Sequence, residues 1–136
     1  MYNDIHPKLN KKIIELKQIL KNQNINIDII KTSVSKENFP KNEQYAFSKI
    51  PKRYPYCSHC FGLAVDFRIV EKNINNYEQV GKIGKMLGLF WGGDFKFEKE
   101  INHLEMLEFL PNQSVKYLIY KYQTPENFKK TWYLYN

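Results

Sequence analysis

The stretch Ser58-His59-Cys60-Phe61-Gly62-Leu63-Ala64-Val65-Asp66-Phe67-Arg68-Ile69-Val70 alternates through its second half: Leu63, Val65, Phe67 and Ile69 are apolar, while Asp66 and Arg68 fall between them. Successive side chains of an extended chain point to opposite sides, so this pattern predicts a half-buried strand over 63–70 with Asp66 on the polar face. Gly62 and Ala64 flank that carboxylate and leave room beside it that bulky residues would fill. His59 lies just ahead of the strand.

Working outward from there, Leu9, Ile13, Leu16 and Leu20 recur at helical spacing after Pro7 and predict an amphipathic helix. Ile25, Ile27 and Ile29 alternate with polar residues, as a second strand would. Residues 32–41 read as a loop and 42–50 as a short helix before the turn marked by Pro51 and Pro55. Tyr77, Val80, Gly84 and Leu87 suit another amphipathic helix, ended by Gly88. Leu89-Phe90-Trp91 reads as a short strand stopped by Gly92-Gly93. A strand is expected over 103–110, with His103 and Glu105 on one face and Leu104 and Met106 on the other, and a further strand over 115–122. Thr124-Pro125-Glu126 carries the cap and first-turn signature of a final helix bearing Phe128, Trp132 and Tyr135. The order of elements predicts an α+β fold, a small antiparallel sheet with helices packed against it, in one domain covering residues 1–136.

Two imidazoles and a carboxylate, His59, Asp66 and His103, make a three-ligand set that leaves zinc an open fourth position. Glu100, three residues ahead of His103, is spaced to act as a base beside the last ligand. Zinc accepts nitrogen and oxygen ligands and lowers the pKa of a bound water to about 7, so no serine or cysteine nucleophile is required. One Zn2+ ion is the expected cofactor. Cys57 and Cys60 form a Cys-x-x-Cys pair, readable as a redox centre, as half of a structural zinc site, or as two ordinary thiols. Neither functional reading is complete: a structural zinc site needs four ligands, and a redox pair usually opens a helix.

At these residues the chain resembles the zinc peptidases of bacterial cell walls, the family of D-alanyl-D-alanine carboxypeptidases and L-alanyl-D-glutamate endopeptidases that includes many phage endolysins. The family pattern Ser-x-His-x-x-Gly-x-Ala-x-Asp is met by His59, Gly62, Ala64 and Asp66, the Trp-Gly-Gly-Asp-aromatic stretch by Trp91 to Phe95, and the acid-x-x-His by Glu100 and His103. The resemblance implies a hedgehog/DD-peptidase-like fold, His59, Asp66 and His103 as zinc ligands, Glu100 as general base, and a peptide bond of peptidoglycan as substrate. It also implies an upstream arginine that binds substrate, and none lies between Lys36 and Gln44. Arg53, Arg68, Lys31 and Lys36 are candidates for that cation, and Trp91 and Asp94 for further substrate contacts. Cys57 stands where the family usually has serine, and Glu100 where its endopeptidase branch often has aspartate.

Hydrophobic content of 43% and aromatic content of 15% are those of a globular protein, and no stretch is long and apolar enough to cross a bilayer. The start of the chain lacks the basic segment and apolar run of a secretion signal, so synthesis in the cytoplasm and action on the wall after release are expected. A net charge of +7 draws the chain toward polyanions, among them anionic wall polymers and nucleic acid, but its many lysines, asparagines and isoleucines also fit an AT-rich genome. The expected function is therefore an endolysin-type L-alanyl-D-glutamate endopeptidase acting as a monomer. A D-alanyl-D-alanine carboxypeptidase or dipeptidase is the enzyme alternative. A basic nucleic-acid-binding module and a non-catalytic structural-zinc domain are the alternatives from other classes.

Overall fold

In a computed structural model that describes residues 1–39, 54–72 and 75–136, the alternating stretch forms the central strand of a sheet. The strands are β1 (Ile27–Lys31), β2 (Ala64–Ile69), β3 (Leu89–Trp91) and β4 (His103–Met106), arranged β1-β2-β4-β3 with every neighbouring pair antiparallel. Val65, Phe67, Leu104 and Met106 are fully buried on one face. Against it lie α1 (Pro7–Asn22), which contributes Leu9, Ile13, Leu16 and Leu20, and α2 (Tyr77–Met86), which contributes Val80 and Ile83. Removing each such side chain from water stabilises the fold by about 1.5–3 kcal/mol. Helices on one side of an antiparallel sheet make this an α+β fold, as the periodicities predict.

The other face is the one that matters for function. Ala64, Asp66 and Arg68 of β2 lie on it, opposite Glu105, His103 and Asp28 respectively. In β1 the register slips between Ile29 and Lys31, so that Ile29 pairs with Phe67 and Lys31 with Asp66. One extra residue reverses which way a strand's side chains point. Ile27 and Ile29 accordingly turn to the helices, whereas Lys31 shares the face of Asp66.

The expected strand over 115–122 is instead α3 (Lys116–Tyr122), followed by α4 (Pro125–Lys129) and a 3-10 turn, Trp132–Tyr135, that completes the expected final helix. Val115 and Leu118 are buried and Ile119 and Tyr122 half-buried, a spacing that lays one stripe along a helix and leaves Tyr117 and Tyr120 outside. The strand expected over 103–110 ends at Met106, after which Leu107–Phe109 forms a 3-10 turn. The short helix expected over 42–50 lies outside the described residues. No helix among the described residues is long and apolar enough to cross a membrane.

Candidate metal centre

His59 is carried by a 3-10 turn, Ser58–Phe61, that ends on Gly62 with φ +67°. That left-handed conformation suits glycine, and a Cβ there would lie 2.6 Å from the Trp132 ring and 2.9 Å from the Asp4 carbonyl oxygen. The turn can therefore close tightly between the two ends of the chain. His6 reinforces it by donating its backbone N–H to the Gly62 carbonyl at 2.8 Å.

The imidazoles of His59 and His103 are each 4% exposed, and their rings stand 5.1 Å apart at 71°. His59 Nε2 is 3.2 Å from Asp66 Oδ1, and His103 Nδ1 is 3.0 Å from the same oxygen. The outward nitrogens are already engaged: His59 Nδ1 lies 2.7 Å from the Thr32 carbonyl oxygen and His103 Nε2 lies 2.7 Å from Glu105 Oε1. A carbonyl and a carboxylate can only accept, so each outward nitrogen carries a ring proton; in the neutral form of each ring the inward nitrogen then presents a lone pair. Two lone pairs aimed at one carboxylate oxygen require a cation between them, either a proton or a metal ion.

The donor set fits a metal ion. The ligand atoms of His59, Asp66 and His103 all lie within 4.8 Å of one another. Four donors at 2.0–2.2 Å in a tetrahedron are separated by about 3.3 Å, close to the 3.0 and 3.2 Å found here. The electrostatics agree. Burial pushes the Asp66 carboxyl up, but hydrogen bonds from His103 and His59 and their charge hold it well below the usual carboxylate range. Burial pulls His103 down, yet its bonds to Asp66 and Glu105 outweigh that effect and raise it to about 9. The pocket is thus built to concentrate positive charge at one point.

Glu100 and His103 are joined by a turn in which the His103 N–H donates to the Glu100 carbonyl at 3.2 Å. The Glu100 N–H in turn donates to the Gly92 carbonyl at 2.9 Å, and a Cβ on Gly92 would come within 2.3 Å of the Glu100 carbonyl oxygen and 2.9 Å of His103 Cβ. Glycine is required there for the acid and the last ligand to lie so close. Glu100 is half-buried and is not one of the three converging ligands.

The remaining candidates are spread more widely. Arg68 is on the face of Asp66 but exposed, with its guanidinium 2.9 Å from Asp28. Lys31 sits opposite Asp66, half-buried and with no paired carboxylate among the described residues. Lys36 lies at an open groove of about 440 Å³ beside Tyr54 and Thr124. Trp91 is buried, its indole N–H donating to the Ile101 carbonyl at 2.7 Å and thereby bracing the turn between Glu100 and His103. Asp94 is exposed and paired with Lys85 at 2.9 Å. Arg53 lies outside the described residues. Cys57 and Cys60 are buried thiols in no disulfide and take no part in the cluster; a hydrogen bond between the Cys60 and Cys57 side chains and burial push the Cys60 thiol far above its ordinary value. Sequence reasoning placed Glu105 on the face of His103 but did not make it a partner, and it missed Thr32, because a backbone carbonyl leaves no trace in residue identity.

Residues 52–106, which contain every member of this centre except Thr32, match the profile of a family described as D-alanyl-D-alanine carboxypeptidase. The chain is also 28% identical over 127 residues, covering 77% of its length and 75% of the relative's, to the peptidoglycan L-alanyl-D-glutamate endopeptidase CwlK of Bacillus subtilis (strain 168). These matches, with His59, Asp66 and His103 converging where the pattern requires them, support for this chain the family of D-alanyl-D-alanine carboxypeptidases and L-alanyl-D-glutamate endopeptidases.

Proposed function

We propose that the chain is a zinc-dependent peptidase of bacterial peptidoglycan that cleaves the stem peptide as an L-alanyl-D-glutamate endopeptidase. The observation that carries this reading is the pair of inward imidazole nitrogens meeting at one Asp66 oxygen, with both outward nitrogens already tied back. The named activity of CwlK supports the choice of bond.

His59, Asp66 and His103 would hold the ion, which supplies Lewis acidity to the scissile carbonyl and to the attacking water. Glu100, one turn from His103, takes a proton from that water as its oxygen adds to the carbonyl carbon. It then returns the proton to the leaving amine as the carbon–nitrogen bond breaks, so the products are one new carboxyl end and one new amino end. Lys31 and Arg68 bring positive charge to the sheet face that carries Asp66, which suits a substrate bearing a free carboxylate. Arg68 can leave Asp28 readily, because an exposed pair of this kind contributes at most about 1 kcal/mol. The net charge of +7 favours retention on anionic wall polymers.

Mass spectrometry of purified wall digested by the zinc-loaded protein tests the reading. New amino-terminal D-glutamate and carboxyl-terminal L-alanine ends are expected. Release of free D-alanine would instead identify the carboxypeptidase outcome named in the family description. No new ends of either kind would refute both.

A further inference from the structure

Glu105 is a carboxylate only 5% exposed, on β4 two residues beyond His103 and on the same face of the sheet. A buried ionised carboxylate is tolerated only when it is well hydrogen-bonded or meets compensating charge. Here Oε1 receives His103 Nε2–H at 2.7 Å and the Ser58 hydroxyl at 3.3 Å. Opposite it in the register stands Ala64 on β2 and, on the other side, Phe90 of β3. The Phe90 ring stacks on Phe95, which lies 5.5 Å from the His103 ring, so aromatic surface lies on one side of the pair. Ser58 directly precedes His59, so one carboxylate oxygen links the turn bearing one ligand to the ring of another.

We infer that Glu105 is a positioning residue of the metal centre: held by Ser58, it accepts from His103 Nε2–H and so turns Nδ1 toward the ion. This inference rests on the metal-centre reading above. Asp66 would neutralise half of a dication's charge, and Glu105, one imidazole away, would offset the other half. Its action is through His103 and not through contact with substrate.

Glu105→Gln keeps the size of the side chain and an accepting oxygen but removes the charge, and its amide can present N–H groups to the ring proton. Zinc affinity, measured by competition with a chromogenic chelator, is expected to fall roughly 10- to 100-fold while thermal unfolding of the metal-free protein stays cooperative. Ser58→Ala, which removes one of the two bonds to Glu105, should give a smaller loss in the same direction. In the zinc-loaded wild-type protein, long-range proton–nitrogen spectra of His103 should show the proton on Nε2 and the metal-shifted resonance at Nδ1. A Glu105→Gln protein with zinc affinity within about twofold of wild type, or a His103 ring protonated on Nδ1, overturns the inference. If Glu105→Gln does not fold, the wild-type spectrum alone decides. Wild-type protein that binds zinc and cuts wall while Glu105→Gln binds equally well would sink only this inference; wild-type protein that binds no zinc sinks the metal-centre reading with it.

Discussion

His6 should make the fold lose stability in mild acid, by an amount that follows from its surroundings. Its ring is fully buried among Phe109, Phe128, Trp132 and Tyr135, with centroids 4.6–5.9 Å away. Nδ1 accepts the Lys8 N–H at 3.1 Å and caps α1, while Nε2 has no hydrogen-bond partner among the described residues. Burial lowers the pKa from 6.5 to about 4; Glu108 works against this and Lys8 with it. The unfolded chain therefore takes up a proton near pH 6.5 that the folded chain refuses until about pH 4. The contribution is whole above the unfolded value, declines as pH falls through that window, and is flat below it. A displacement of one pH unit corresponds to about 1.4 kcal/mol, so the full loss has a ceiling of roughly 3 kcal/mol. Urea unfolding of metal-free protein at several values between pH 7 and 4 reads this directly. His6→Asn keeps a capping oxygen but no titrating ring, so it should be less stable at neutral pH and show a shallower slope. Other groups contribute equally to both proteins. Identical slopes, or a ring that titrates near 6.5 in the folded protein by NMR, would refute the reasoning.

Three further outcomes are expected. Glu100→Gln should retain zinc yet lose wall hydrolysis by at least about 100-fold, whereas His59→Ala and Asp66→Ala should lose both; metal analysis beside a turbidity assay separates them, and an active Glu100→Gln protein would displace the assigned base. Gly92→Ala forces a methyl group into the Glu100 carbonyl and the His103 side chain, so it should lower stability by about 1–3 kcal/mol and weaken zinc binding, as read by thermal melts with and without metal. Lys31→Met should raise KM for soluble stem peptide about tenfold with a smaller change in kcat, while Arg68→Gln, which starts from a compensated pair, should do less; steady-state kinetics on the two variants would show the reverse order if Arg68 is the main anchor.

The central strand was legible because both of its faces are occupied, one by the core and one by the site, so the alternation around Asp66 is complete. The two long helices were legible for a matching reason, since Leu9, Ile13, Leu16 and Leu20 form one buried stripe at helical spacing. α3 was not, because Val115, Leu118, Ile119 and Tyr122 are types that also favour strands, and in a short segment the two periods overlap. The converging group of His59, Asp66 and His103 could be read from spacing because metal chemistry constrains residue type. Their supports could not: Thr32 contributes a carbonyl available to any residue, and Glu105 needed a rotamer that sequence does not encode. The shift in β1 carries no glycine or proline to announce it.

That shift has a further consequence. Ile30 is the extra residue that separates two phases of one strand: in an unbroken register it would stand opposite Asp66, and the Lys31 ammonium would turn toward the greasy interior and be lost from the face of Asp66. The chemistry available to this pocket thus depends on a peptide unit whose own side chain never enters it.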